Sequence, residues 1–148
     1  MAHHVVTASL TQEQDYRFTI DFGEGQPLVY GDEPPPLGKA TGPAPSQLLA
    51  AAVGNCLSDS LLFALRKFKQ KPEPVQAAVT ATIDRNAENR LRVVNISVKL
   101  TLGVPGESLE HLDRALAQFE EFCTVSQSVR QGIPVTVEVY DSRGLRLK

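Results

Sequence analysis

Three observations predict an α+β fold. Several stretches alternate apolar and polar residues with period two, one long run of small and aliphatic residues follows a proline-marked start, and a second apolar stripe recurs at spacings of three and four. The elements fall in the order βββαββααβ, which reads as an antiparallel-rich sheet packed on two long helices. At 148 residues the chain can form one domain burying about 70% of the surface its unfolded form exposes. No repeat, low-complexity tract or linker interrupts it, so residues 1–148 read as a single domain.

In order along the chain, Val5 to Leu10 reads as a first strand and Thr11 to Asp15 as the hairpin loop. Tyr16, Phe18, Ile20 and Phe22 alternate with Arg17, Thr19 and Asp21, the pattern of a half-buried second strand. Pro27 to Tyr30 suggests a short third strand. Pro34-Pro35-Pro36 then excludes both helix and ladder pairing, because proline lacks the backbone donor. Gly42-Pro43-Ala44-Pro45-Ser46 carries helix-start chemistry, since proline is tolerated in a first turn, and nothing but Gly54 interrupts a helix from Ser46 to about Lys69. Leu48 to Leu57 is small and apolar on nearly every side, which predicts a central helix buried all round.

Val75 to Ile83 and Leu91 to Leu102 read as two long strands joined by the turn Asp84 to Asn89. In the second, the apolar phase slips from Leu91 and Val93 to Val94, Ile96, Val98, Leu100 and Leu102, which predicts a bulge near Val93 and Val94. Ser108 is placed to cap a helix carrying Leu109, Leu112, Leu116 and Phe119, with Cys123 continuing the stripe. Val125 to Gln131 reads as a short helical piece ending at Gly132. Ile133, Val135, Val137 and Val139 form a last strand, and the polar tail from Ser142 is expected to be loose.

Net charge of -2 with 22% charged and 42% hydrophobic residues argues against both a disordered chain and a basic nucleic-acid footprint. Arg66, Lys67, Lys69 and Lys71 cluster at a helix C-terminus, where cations oppose the macrodipole, so they read as helix chemistry rather than a nucleic-acid patch. The N-terminus lacks a basic flank followed by an apolar stretch, and no run approaches the ~18 consecutive apolar residues of a membrane span. A cytoplasmic protein without membrane or nucleic-acid partners is therefore expected. In a reducing compartment the two cysteines, Cys56 and Cys123, persist as free thiols, and their spacing matches no zinc or CxxC pattern.

These thiols are the main candidates for chemistry. Cys56 lies on the helix face shared by Leu49, Ala52, Val53, Ser60 and Phe63, while Cys123 ends the stripe of the second helix. Face-to-face packing of the helices would bring the sulfurs within disulfide reach. Two inert core thiols satisfy the same pattern, because free cysteine is among the most buried residue types. His3, His4 and His111 have no ligand spacing, so no metal site is expected. Asp59, one turn beyond Cys56, would raise the thiol pKa unless partnered, and Arg17 on the second strand is a cation able to partner it.

Three segments taken together resemble the OsmC/Ohr family over nearly the whole chain. They are Asp32 to Gly38, Gly42 to Cys56, and Cys123-Thr124-Val125-Ser126-Gln127-Ser128-Val129. The most specific parts are the cysteine reached through a small-residue helix after G-x-x-P, and the C-x-V-S cysteine followed by a glycine and a valine-rich strand. The resemblance implies an OsmC-like fold in an intertwined homodimer with two active sites at the subunit interface. It implies a thiol peroxidase reducing small organic hydroperoxides in oxidative-stress defence, with Cys56 peroxidatic and Cys123 resolving. An external dithiol, lipoyl-linked in the best-known members, would restore the pair, and no metal or flavin is required. Peroxidase members carry a glutamate ten residues before the first cysteine that holds an arginine over the thiolate. Ser46 occupies that position here, with the neutral Gln47 beside it, and Arg17 is the nearest arginine for the role. That departure keeps a second reading open, a non-enzymatic OsmC-like dimer binding an apolar ligand at its interface.

Overall fold

The computed structural model describes residues 3–148. They form two compact units, one ending at Leu48 and the other running Leu49–Lys148. The order of strands and α-helices is the expected βββαββααβ.

The first unit is a three-stranded antiparallel sheet of β1 (Ser9–Gln14), β2 (Arg17–Asp21) and β3 (Val29–Gly31), in the order β1-β2-β3. The first hairpin corrects the sequence reading: Thr11 to Gln14 are strand rather than loop, and Val5 to Thr7 lie outside any strand. Asp15 turns the chain at φ 52°, a left-handed conformation that aspartate tolerates, so a tight turn at Asp15 and Tyr16 replaces the expected longer loop. β1 is exposed along its whole length, which is why its residues lack the alternation that marks β2. Beyond β3, nearly buried Asp32 orders the proline-rich loop by accepting hydrogen bonds from Lys39 N (3.3 Å), Thr41 N (3.1 Å) and Thr41 Oγ1 (2.7 Å). Gly38 passes so close that a Cβ there would stand 2.2 Å from the Glu33 carbonyl oxygen.

Helix α1 (Pro45–Lys67) starts as its proline predicts, with Gln47 Oε1 accepting from Ala44 N at 2.9 Å, as the third residue of a capping box does. Its buried residues, Ala50, Val53, Gly54, Leu57, Leu61 and Leu65, recur every three or four positions and form one face. Ala51, Ala52 and Asn55 are exposed, so within this chain α1 is amphipathic rather than buried all round. Its mean hydropathy of 1.7 over an 18-residue window makes it, by length and composition, apolar enough to cross a membrane, although polar residues interrupt the apolar run.

In the second unit β4 (Gln76–Arg85) pairs antiparallel with β5 (Leu91–Thr101), and β6 (Val135–Tyr140) lies parallel to β5. Opposite Thr82 stands Asn95 and opposite Ile83 stands Val93, leaving Val94 as the extra residue of the predicted bulge. Val53, Leu57, Leu61 and Leu65 of α1 join Ile96, Val98, Leu100, Leu102, Val139 and Phe119 in the core. Gly54 lets α1 approach β4 closely, since a Cβ there would stand 2.3 Å from Val79 Cγ2.

The expected second long helix is instead a broken path. A 3-10 turn (Gly106–Ser108), α2 (Leu112–Gln118), a second 3-10 turn (Phe119–Phe122) and α3 (Thr124–Val129) connect β5 to β6. Ser108 caps nothing: its hydroxyl donates to Pro105 O at 2.7 Å, and His111 precedes α2 at φ 59°. Apolar residues three and four apart fit 3-10 and α turns alike, so the stripe does not reveal the break. The C-terminal tail is also tied down rather than loose. Leu147 N donates to Val139 O at 2.7 Å, Lys148 Nζ donates to Leu116 O at 2.7 Å, and Asp141 accepts from Gly106, Arg143 and Leu145 N at 2.9 Å each.

Candidate active site

Cys56 and Cys123 meet in the second unit. Cys56 is half-buried on α1, next to the fully buried Leu57, and Cys123 is 1% exposed. Cys123 does not continue a helical stripe; it is the extended residue (φ −82°, ψ 103°) immediately before α3. Its segment is held by Glu120 O, which accepts from Cys123 N at 3.2 Å and from Gln127 Nε2 at 3.0 Å. The Glu120 carboxylate binds Arg130 and Lys148. Burial pushes the Glu120 carboxyl pKa up, but Lys148 and Arg130 outweigh it and hold the group below the usual carboxylate range.

Two opposing influences set the state of Cys56. Burial pushes its thiol pKa up, and the Cys123 side chain beside it raises it further by hydrogen bonding and charge. The backbone N–H groups of Val125 and Ser126, in the first turn of α3, pull it down. The rise prevails, so the protonated thiol dominates at neutral pH. Both thiols are free. Further along α1, Phe63, Ala64 and Phe68 with Ala115 and Phe122 line a mainly apolar cleft, which also includes Ser60, Lys67 and Gln118 but neither cysteine; Phe63 and Phe122 are 66% and 71% exposed.

Arg17 belongs to the first unit, where Glu13 binds its guanidinium at 3.1 Å and the Tyr30 ring lies 5.2 Å away. Asp59 is exposed and accepts a hydrogen bond from Asn55 Nδ2 at 3.2 Å. His111 stacks on Phe68 with centroids 4.8 Å apart, and among the described residues no cluster of metal-ligating side chains occurs. The contribution of α3 was not foreseen from sequence. It leaves no signal in residue type, because every residue but proline carries a backbone N–H.

The chain belongs to the OsmC-like family: the family model described as OsmC-like protein matches residues 38–138, a span that includes both cysteines and leaves out Arg17. Solved structures share the fold at low identity. An OsmC-like protein of unknown function from Vibrio cholerae superposes with a TM-score of 0.77 at 17% identity, covering 93% of this chain and 99% of its own. The organic hydroperoxide resistance protein OsmC of Legionella pneumophila gives 0.72 at 17%, covering 94% and 98%. The organic hydroperoxide resistance protein OhrB of Bacillus subtilis gives 0.67 at 18%, covering 90% and 97%. No curated protein matches the sequence.

Proposed function

We propose that this protein is a thiol peroxidase for organic hydroperoxides that uses Cys56 and Cys123 as its redox pair. The observation that carries the reading is the meeting of two free thiols 67 positions apart in sequence, close enough for Cys123 to act on the titration of Cys56. The Cys56 thiolate attacks the terminal peroxide oxygen. The O–O bond breaks, the alkoxide leaves and takes up a proton as alcohol, and Cys56 becomes a sulfenic acid. Cys123 sulfur then displaces water from it to give a Cys56–Cys123 disulfide. An external dithiol reduces that disulfide by exchange and is itself oxidised. The apolar cleft favours alkyl hydroperoxides over hydrogen peroxide.

The proposal includes a cytoplasmic homodimer and assigns to Arg17 the cation that supports the thiolate. For Arg17→Ala, the expected result is little change in stability, since a half-exposed ion pair contributes about 0–1 kcal/mol, together with a clear fall in peroxide turnover. Unchanged turnover removes Arg17 from the mechanism.

The test supplies reduced protein with cumene hydroperoxide or hydrogen peroxide and a dithiol, and follows free thiols and turnover. Faster consumption of the organic peroxide, abolished in Cys56→Ser and stalled at the sulfenic acid in Cys123→Ser, is the expected outcome. Sluggish oxidation without organic preference, unchanged in Cys56→Ser, sinks the reading. One observation favours the non-enzymatic alternative: burial and Cys123 hold the Cys56 thiol up. The same assay decides between the two.

A further inference from the structure

The turn that carries Cys123 has little stability of its own. It joins a four-residue 3-10 turn, Phe119–Phe122, to the six-residue α3, and helical pieces this short depend on tertiary support. Glu120 supplies that support twice over. Its carbonyl oxygen accepts from Cys123 N at 3.2 Å and from Gln127 Nε2 at 3.0 Å, which fixes the cysteine residue to the start of α3. Its carboxylate, 15% exposed, binds Arg130 at the end of α3 and the ammonium of Lys148. Lys148 reaches this point from the sheet: its N donates to Val139 O at 3.2 Å, and Val139 N donates to its O at 3.1 Å. The same ammonium donates to Leu116 O of α2 at 2.7 Å and lies 5.1 Å from the centre of the Phe119 ring. One charge thus joins β6, α2 and the 3-10 turn at the residue that holds Cys123. A single cation satisfies a carboxylate withdrawn from water, whereas two from separate elements leave it one position.

We propose that Lys148 is a positioning residue for Cys123: acting through Glu120, its ammonium holds the cysteine turn in the place from which Cys123 closes a disulfide with Cys56. The proposal rests on the redox pair given above, but its test uses no peroxide. Reduced protein is equilibrated with mixtures of oxidised and reduced dithiothreitol. The two thiols lose two hydrogen atoms to the cyclic reagent, which becomes the dithiol as the Cys56–Cys123 disulfide forms. After acid quench, peptide mass spectrometry counts the disulfide and gives the equilibrium constant. Lys148→Met keeps an apolar stem over Phe119 and removes the charge, and it should lower that constant about tenfold, because sulfur-to-sulfur closure depends on placement. Lys148→Arg, which keeps a cation, should recover most of the loss.

A second measurement does not depend on the disulfide. In peptide-resolved hydrogen exchange of the reduced proteins, amides 123–127 should exchange faster in Lys148→Met than in wild type, while β4 and β5 stay as protected as before. A lysine that merely stabilises the fold would speed exchange throughout and leave the equilibrium constant where it was. An unchanged constant in a protein that does form the disulfide, or exchange at 123–127 indistinguishable from wild type, overturns the proposal. Wild-type protein that forms no Cys56–Cys123 disulfide removes the redox pair instead, and faster exchange confined to 123–127 in Lys148→Met then still upholds Lys148 as the residue that holds the cysteine turn.

Discussion

The two units of this chain are ordered by different physics. In the second, thirteen buried residues from α1, β5, β6 and the broken α2–α3 path form one core, with Phe119, Leu57, Leu61 and Leu65 fully excluded from water. In the first, Ile20 is the one large apolar side chain buried among the described residues, while its sheet-face neighbours Leu10 and Phe18 are 58% and 37% exposed. What fixes the first unit is polar: Asp32 gathers three hydrogen bonds from Lys39 and Thr41, and Glu13 bridges Arg17. The lesson concerns where chemistry can be held. Both cysteines, the proposed redox pair, belong to the unit with the closed apolar core, where close packing fixes side chains to a single arrangement.

The contrast can be broken most directly by truncation. Phe119→Ala should cost about 3–5 kcal/mol in urea unfolding, as large-to-small changes in closed cores do. Ile20→Ala should cost clearly less than the same change at the larger-unit position Leu57, because the surroundings of Ile20 are already open to water. Equal losses would show that the first unit is covered as tightly as the second, and in a concentration-dependent form would support the homodimer.

Gly54→Ala comes next. Alanine improves intrinsic helix propensity, yet its Cβ would overlap Val79 Cγ2, so a net loss of about 1–3 kcal/mol is expected. A gain in stability would mean that α1 and β4 separate more easily than their packing suggests.

The smallest effect is the one with pH. Hydrogen bonds from Thr41 hold the Asp32 carboxyl below its usual range, and those from Gly106 N, with Leu145 and Arg143 N, do the same for Asp141. A carboxyl whose folded pKa is depressed stabilises the fold above its unfolded pKa, near 4, and that contribution disappears as pH falls through the folded value. Peptide-resolved hydrogen exchange should therefore show the proline-rich loop of the first unit loosening below about pH 4, ahead of the core strands β5 and β6. Simultaneous loss of protection in both would contradict the division drawn above. Asp32→Asn should loosen that loop at neutral pH and flatten the acid response.

Much of this was legible along the chain. The alternation of β2, the proline start of α1, the phase slip that became the bulge at Val94 and the valine-rich β6 each express a local periodicity or a local covalent constraint. The first hairpin was misread because β1 is exposed on both faces and so carries no alternation to read. The second helix was misread because Leu112, Leu116, Phe119 and Cys123 keep the same spacing through an α-helix, a 3-10 turn and an extended residue. The tail from Ser142 looked loose because its partners, Val139, Leu116 and Glu120, lie on other elements.

The sequence by itself determined the α+β class, the order of strands and helices and the family, because each of these follows from residue type and near-neighbour spacing. Only the tertiary structure decided that Cys56 faces Cys123, that the N–H groups of Val125 and Ser126 act on its sulfur, and that its thiol is held protonated. Those properties depend on burial and on groups tens of residues away along the chain, and a pKa responds to what surrounds a sulfur in space rather than to what precedes it in sequence.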